Sequence, residues 1–148
     1  MTRCKHCLSK AEMRNGGCSI CGIDPDKITA ELSAEEKKVQ FHARGILLVA
    51  LFHFIGTVCG LILASQFPTP FPMILLALIN LLLGLGLAHY SLAAYKGATV
   101  YYFLIGMVNV ISIQAGPIHL AGIALALLGL YLVGNSTSKS IFDRSLPE

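Results

Sequence analysis

Apolar and polar positions are segregated along this chain rather than interleaved. From 45 to 138 only Lys96 carries a charge, and four apolar stretches occupy that run, at 44–66, 72–94, 98–114 and 117–135. A helix needs about 20 residues to cross the hydrocarbon layer, with about 17–25 observed. The first two stretches pass comfortably. The last two lie near the lower limit, and Gln114-Ala115-Gly116-Pro117 reads as a tight turn between them. The pattern predicts an all-α membrane domain over 44–135 with four transmembrane helices in a compact bundle. A re-entrant pair in place of the last two spans is the competing arrangement.

The flanks are polar. Residues 1–22 hold four cysteines, and 23–43 form a connector with a turn signal at Asp24-Pro25. Within the connector, Ser33-Ala34-Glu35-Glu36 matches a capping box, so a stalk helix should begin at Ala34 and run unbroken into the first span. Glu35 and Glu36 in its first turn suit the positive end of the helix dipole. Residues 136–148 read as a C-terminal tail.

Basic residues set the orientation. Lys37, Lys38 and Arg44 precede the first span, Lys96 lies between the second and third, and Lys139 and Arg144 follow the fourth. The connections at 67–71 and at Gln114 are uncharged. Four spans put every basic flank on one side, as the positive-inside rule requires. Tyr90, Tyr95, Tyr101, Tyr102 and Tyr131 fall towards that side too, as an interfacial belt would. Both termini are therefore expected in the cytoplasm, with the lipid bilayer as the surrounding partner. Composition agrees: 55% hydrophobic residues and a mean hydropathy of +0.69 are too apolar for a soluble domain. The net charge of +3 is modest and predicts no nucleic-acid partner. The N-terminus opens on polar sequence, so no secretory signal peptide is expected.

Cys4, Cys7, Cys18 and Cys21 stand as Cys-x2-Cys, ten residues, Cys-x2-Cys. Two such turns can present four thiolates tetrahedrally to one Zn²⁺, and in a reducing cytosol metal is favoured over disulfides. Asn15-Gly16-Gly17 signals a tight turn between two strands, and Gly22 permits close backbone approach after Cys21. The segments CKHC and CSICG resemble the small zinc ribbons at the N-termini of many prokaryotic multi-pass membrane proteins. The resemblance covers 4–22 only, and Leu8 departs from it where a glycine often stands. It implies a β-hairpin stapled by a structural zinc, in a protein of the prokaryotic cytoplasmic (inner) membrane. A rubredoxin-like iron centre has the same ligands, but the ten-residue loop is short for that fold. A thioredoxin-like redox pair lacks its strand–helix context. With four cysteines at hand, His6 is expected at the surface rather than on the metal. A closed four-thiolate site leaves no position for substrate, so zinc here would supply fold.

Inside the membrane domain, small and polar residues recur at helical spacing. The stripes are His53, Gly56, Thr57 and Gly60; Asn80, Gly84, Ala88 and Ser91; Tyr102, Gly106 and Asn109; and His119, Gly122, Ala126 and Gly129. Small residues let helices approach closely in lipid, which argues for a tight bundle or a homo-oligomer. His53 lies about 13 Å into the first helix and Asn80 about 12 Å into the second, so both reach mid-membrane and a hydrogen bond between them is expected. Interhelical glue is the bland reading, while an intramembrane polar site at His53, Asn80 and Asn109 is the functional one. His42 and His89 belong near the cytoplasmic interface, His119 at the outer surface, and Cys59 on a lipid- or core-facing position away from the His53 face. No pattern of catalytic acids, nucleophiles or phosphate loops emerges, so the chain is expected not to be an enzyme. The leading expectation is an adaptor or accessory subunit whose zinc ribbon meets a protein partner; the alternative is a small homo-oligomeric transporter or channel.

Overall fold

The computed structural model describes residues 2–144 apart from 9, 12, 15 and 67, and the side chains of these except at 2, 3, 10, 11, 13 and 14. Helix α1, Ala34–Ala64, is one unbroken helix of 31 residues, about 46 Å long. Its start is the expected capping box: the Glu36 N–H donates to Ser33 Oγ at 3.2 Å, and the Ser33 N–H donates to the Glu36 carboxylate at 2.8 Å. Lys27 ties the connector to the same turn through a 2.8 Å ion pair with Glu36.

Four further helices follow: α2 (Phe71–Ala88), α3 (Leu92–Ile111), α4 (Ile118–Val133) and α5 (Ser136–Arg144). Helices α1 and α2 are long and apolar enough to cross a membrane, and α4 with α5 makes a third candidate if that pair, bent by 51°, counts as one span. Alone, α4 has 16 residues and measures about 24 Å, short of a hydrocarbon core of about 30 Å.

The break between the second and third apolar stretches falls at His89–Ser91, not at 95–97 as the charge on Lys96 suggested. Tyr90 causes it. Its backbone sits at φ +53°, and its ring is buried against Phe142 with centroids 5.9 Å apart. The phenol hydroxyl donates to the Ala43 carbonyl at 3.1 Å and approaches that of Cys7 at 3.4 Å. Tyr90 is thus no interfacial belt residue but a core anchor. Lys96 lies exposed within α3.

Two antiparallel helix pairs build the bundle. In α1–α2, a Cβ on Gly60 would stand 3.1 Å from that of Ala77, and one on Gly84 would stand 3.2 Å from the Ala50 carbonyl oxygen. In α3–α4, Gly129 lies under the Tyr102 ring and Gly106 faces Ala126. The small-residue stripes are therefore the seams within each pair. The outward faces, with Leu51, Ile62, Leu82, Phe103 and Leu127, are apolar and half exposed or more.

In place of one hairpin, the N-terminal region has two short antiparallel pairs, β1 (Thr2–Arg3) with β2 (Lys10–Ala11) and β3 (Met13–Arg14) with β4 (Gly17–Cys18). Asn15 of the expected turn lies outside the described residues; Gly16 beside it has φ +78°. Helix α5 occupies most of the segment read as a tail. It folds back so that Ser138, Ile141 and Phe142 are fully buried. Residues 145–148 of that segment lie outside the described residues. One hydrophobic cluster runs from the four cysteines through Ile23, Leu32, Val39, Ile46 and Leu87 to Ile141 and Phe142. The cysteine module is a cap seated on the bundle end, continuous with its core.

Candidate functional site

The structure brings Cys4, Cys7, Cys18 and Cys21 together: the four Sγ atoms lie within 4.8 Å of one another and all four residues are buried. Cys7 and Cys18 sulfurs are 3.6 Å apart, and those of Cys4 and Cys21 are 3.9 Å apart. A tetrahedron with metal–sulfur bonds of about 2.3 Å has edges of about 3.8 Å. The cage therefore fits one thiolate-bound metal ion.

Each Cys-x2-Cys forms the same loop. The Leu8 N–H donates to the Cys4 carbonyl at 2.8 Å, and the Gly22 N–H donates to that of Cys18 at 2.7 Å. Leu8 has φ +62° and Gly22 φ +73°. Leucine thus adopts the left-handed backbone that its counterpart reaches as glycine, at a cost of about 1–2 kcal/mol. Within the cage, hydrogen bonds from Cys21 and Cys7 push the Cys18 thiol down, while its bond to Cys18 pushes the Cys21 thiol up. Adjacent thiolates repel, and a cation at the centre removes that repulsion.

Groups from distant parts of the chain hold the loops. Arg44 donates from Nε to the His6 carbonyl at 2.9 Å and from Nη2 to the Lys5 carbonyl at 3.0 Å. Arg144 of α5 donates from Nη1 to the Cys21 carbonyl at 2.9 Å. Each loop therefore has its own arginine. Burial pushes the Tyr90 phenol well above the ordinary tyrosine range, which keeps it a hydrogen-bond donor. His6, expected at the surface, is instead buried, 1% exposed, with Nδ1 3.1 Å from Gln40 Nε2. The stalk turns of α1 lie against the first loop, so that Gln40 meets the imidazole. The imidazole stays outside the sulfur cage. Among the described residues, its Nε2 is the one buried side-chain nitrogen or oxygen without a hydrogen-bond partner.

The second site lies between the helix pairs. His53 Nδ1 is 2.8 Å from Asn80 Oδ1, and His53 Nε2 is 3.2 Å from the Tyr102 hydroxyl. The Tyr101 hydroxyl donates to Asn80 Oδ1 at 3.4 Å, and Thr57 donates to the His53 carbonyl at 2.9 Å. Asn80 Nδ2 donates to the Leu76 carbonyl at 2.9 Å, which makes Oδ1 the acceptor. His53 Nδ1 therefore carries the proton, and Nε2 accepts from Tyr102. Asn109 is not part of this network. It pairs with His119 at 3.1 Å, about 10 Å further along α3 from Tyr102. Tyr101 and Tyr102, expected in the interfacial belt, instead flank His53 with their rings, at centroid distances of 5.3 and 5.5 Å. Their adjacency at 101 and 102, opposite a lone histidine, was the available signal.

The other histidines divide. His42 is buried, with Nδ1 3.0 Å from Asn135 Nδ2, whereas His89 is exposed at the α2–α3 turn. Cys59 is exposed and lines the same groove as His53. No protein-family model matches the chain, and no curated protein or solved structure does either.

Proposed function

We propose that this is a non-catalytic integral membrane protein, an adaptor or accessory subunit, whose N-terminal zinc ribbon forms a cytoplasmic cap that meets a protein partner. The observation that carries this reading is the closed cage of Cys4, Cys7, Cys18 and Cys21, whose backbone is bonded to α1 through Arg44 and to α5 through Arg144. Four sulfurs fill every tetrahedral position, which suits zinc as a structural ion and leaves none for substrate. A cap fixed to the bundle passes any force or partner contact directly to α1.

In this reading α1 to α4 all span the prokaryotic cytoplasmic membrane, with both termini in the cytoplasm. The basic residues support it, since Arg44, Lys96, Lys139 and Arg144 fall on the cap side. Replacing Cys4 and Cys18 together by Ser tests the role: the cap should unfold and its partner should be lost from gently purified complexes. An unchanged set of associated proteins contradicts it. A role as a small homo-oligomeric transporter is the second reading, and its support is the polar cluster at His53 and Asn80 beside a groove of about 450 Å³. His53→Leu should then abolish flux in reconstituted vesicles, and unchanged flux removes that reading.

A further inference from the structure

The groove beside His53 has more definite chemistry than a packing gap. It runs along α1 from Val49 to Leu63, about 21 Å of helix, and is closed on its far side by α2, α3 and α4. Its volume of about 450 Å³ falls within the roughly 300–1,000 Å³ of small-molecule sites. Nearly all the wall is aliphatic or aromatic; the polar groups reaching it are His53, Asn80, Tyr101 and Tyr102. Phe52, Leu125 and Leu128, at the edges contributed by α1 and α4, are about half exposed, so the groove opens sideways from the bundle. With α1 in a bilayer, that opening faces lipid.

The hydrogen atoms of the cluster are nearly all committed. Tyr102 donates to His53 Nε2, His53 Nδ1 donates to Asn80 Oδ1, and Tyr101 donates to the same oxygen. One Asn80 amide hydrogen goes to the Leu76 carbonyl. Besides the second Asn80 amide hydrogen and the weak Cys59 thiol, the groove offers only acceptors, the remaining lone pairs of the two phenol oxygens. Such a site rewards a ligand that brings its own hydrogen.

We propose that this groove binds a lipophile bearing a hydroxyl group, which enters sideways from the bilayer and donates its hydroxyl hydrogen to Tyr102 or Tyr101. An ether or ester of the same chain brings no hydrogen and loses that bond; it can accept from the second Asn80 amide hydrogen, but so can the alcohol oxygen. One net hydrogen bond is worth about fivefold in affinity. The proposal rests on the membrane placement of α1 and α2, and on neither the adaptor nor the transport reading.

The test uses the full, metal-loaded chain in phosphatidylcholine vesicles, with a diazirine-bearing hexadecanol as photolabel. Flotation with the vesicles checks the membrane placement first, so its failure is read separately. Hexadecanol should compete about fivefold more strongly than hexadecyl methyl ether, and the label should fall on groove residues of α1 and α4. In His53→Leu the Tyr102 hydroxyl loses its acceptor and becomes a free donor, so the ether should recover and the ratio should fall to about one. Equal competition by alcohol and ether in the unmodified chain overturns the proposal. So does label spread over the outward helix faces, or label excluded because a second copy of the chain fills the groove.

Discussion

The cap and the membrane core both bury polar chemistry, and they neutralise it in opposite ways. In the cap, four sulfurs sit within 4.8 Å, and no arrangement of their own protons lets all of them act as thiolates. That arrangement fits a metal ion, whose charge would stabilise the thiolates. In the core, His53, Asn80, Tyr101 and Tyr102 bond to one another as neutral groups, the His53 ring and both phenol hydrogens each finding an acceptor on another helix. The cap is thus suited to an ion supplied from outside, whereas the core cluster is held by bonds among its own side chains. Stability should follow that division.

Metal removal should produce the largest effect, since structural zinc contributes about 10–16 kcal/mol to small metal-folded modules. A chelator at neutral pH should expose 1–32 and α5 to protease while α1 to α4 keep their helical circular dichroism. Loss of helicity throughout would show that the two regions are not separable. Next comes Asn80→Ala, which leaves His53 Nδ1–H without its partner and should cost about 1–2 kcal/mol in mixed-micelle unfolding, with metal content unchanged. Arg44→Ala and Arg144→Ala should each cost about 1 kcal/mol and act only on the cap, read as faster transfer of metal to a chromophoric chelator. Equal rates in both variants and the parent chain would mean that the arginines do not hold the loops. Smallest of all, Leu8→Gly should relieve the left-handed strain at φ +62° and slow metal transfer, a gain of at most about 1 kcal/mol after the entropy of the added glycine is counted.

Several features were legible from local pattern. The cysteine spacing foretold the cage, Ser33 and Glu36 foretold the start of α1, and helical spacing foretold the meeting of His53 with Asn80. The features that escaped depend on distant contacts. The turn at His89–Ser91 contains no proline or glycine; it forms because Tyr90 finds carbonyl partners at Ala43 and Cys7, both more than forty residues away. The burial of His6 depends on Gln40 passing over it, and the arginine on the second loop depends on α5 folding back. Asn109 shared the helical pattern of the other polar residues, yet its rung on α3 faces His119 rather than His53. Length and composition single out α1 and α2, with α4 and α5 together as a third candidate, because α4 is short and breaks before α5.

A zinc ion that closes the four-cysteine cage would lock the cap to the bundle. X-ray absorption on the full chain, purified in mild detergent with its metal content measured, tests it most directly. One zinc per chain with four sulfur neighbours at about 2.3 Å is expected. Iron in that position, a nitrogen or oxygen neighbour in place of a sulfur, or a metal-free chain with an intact cap would contradict it.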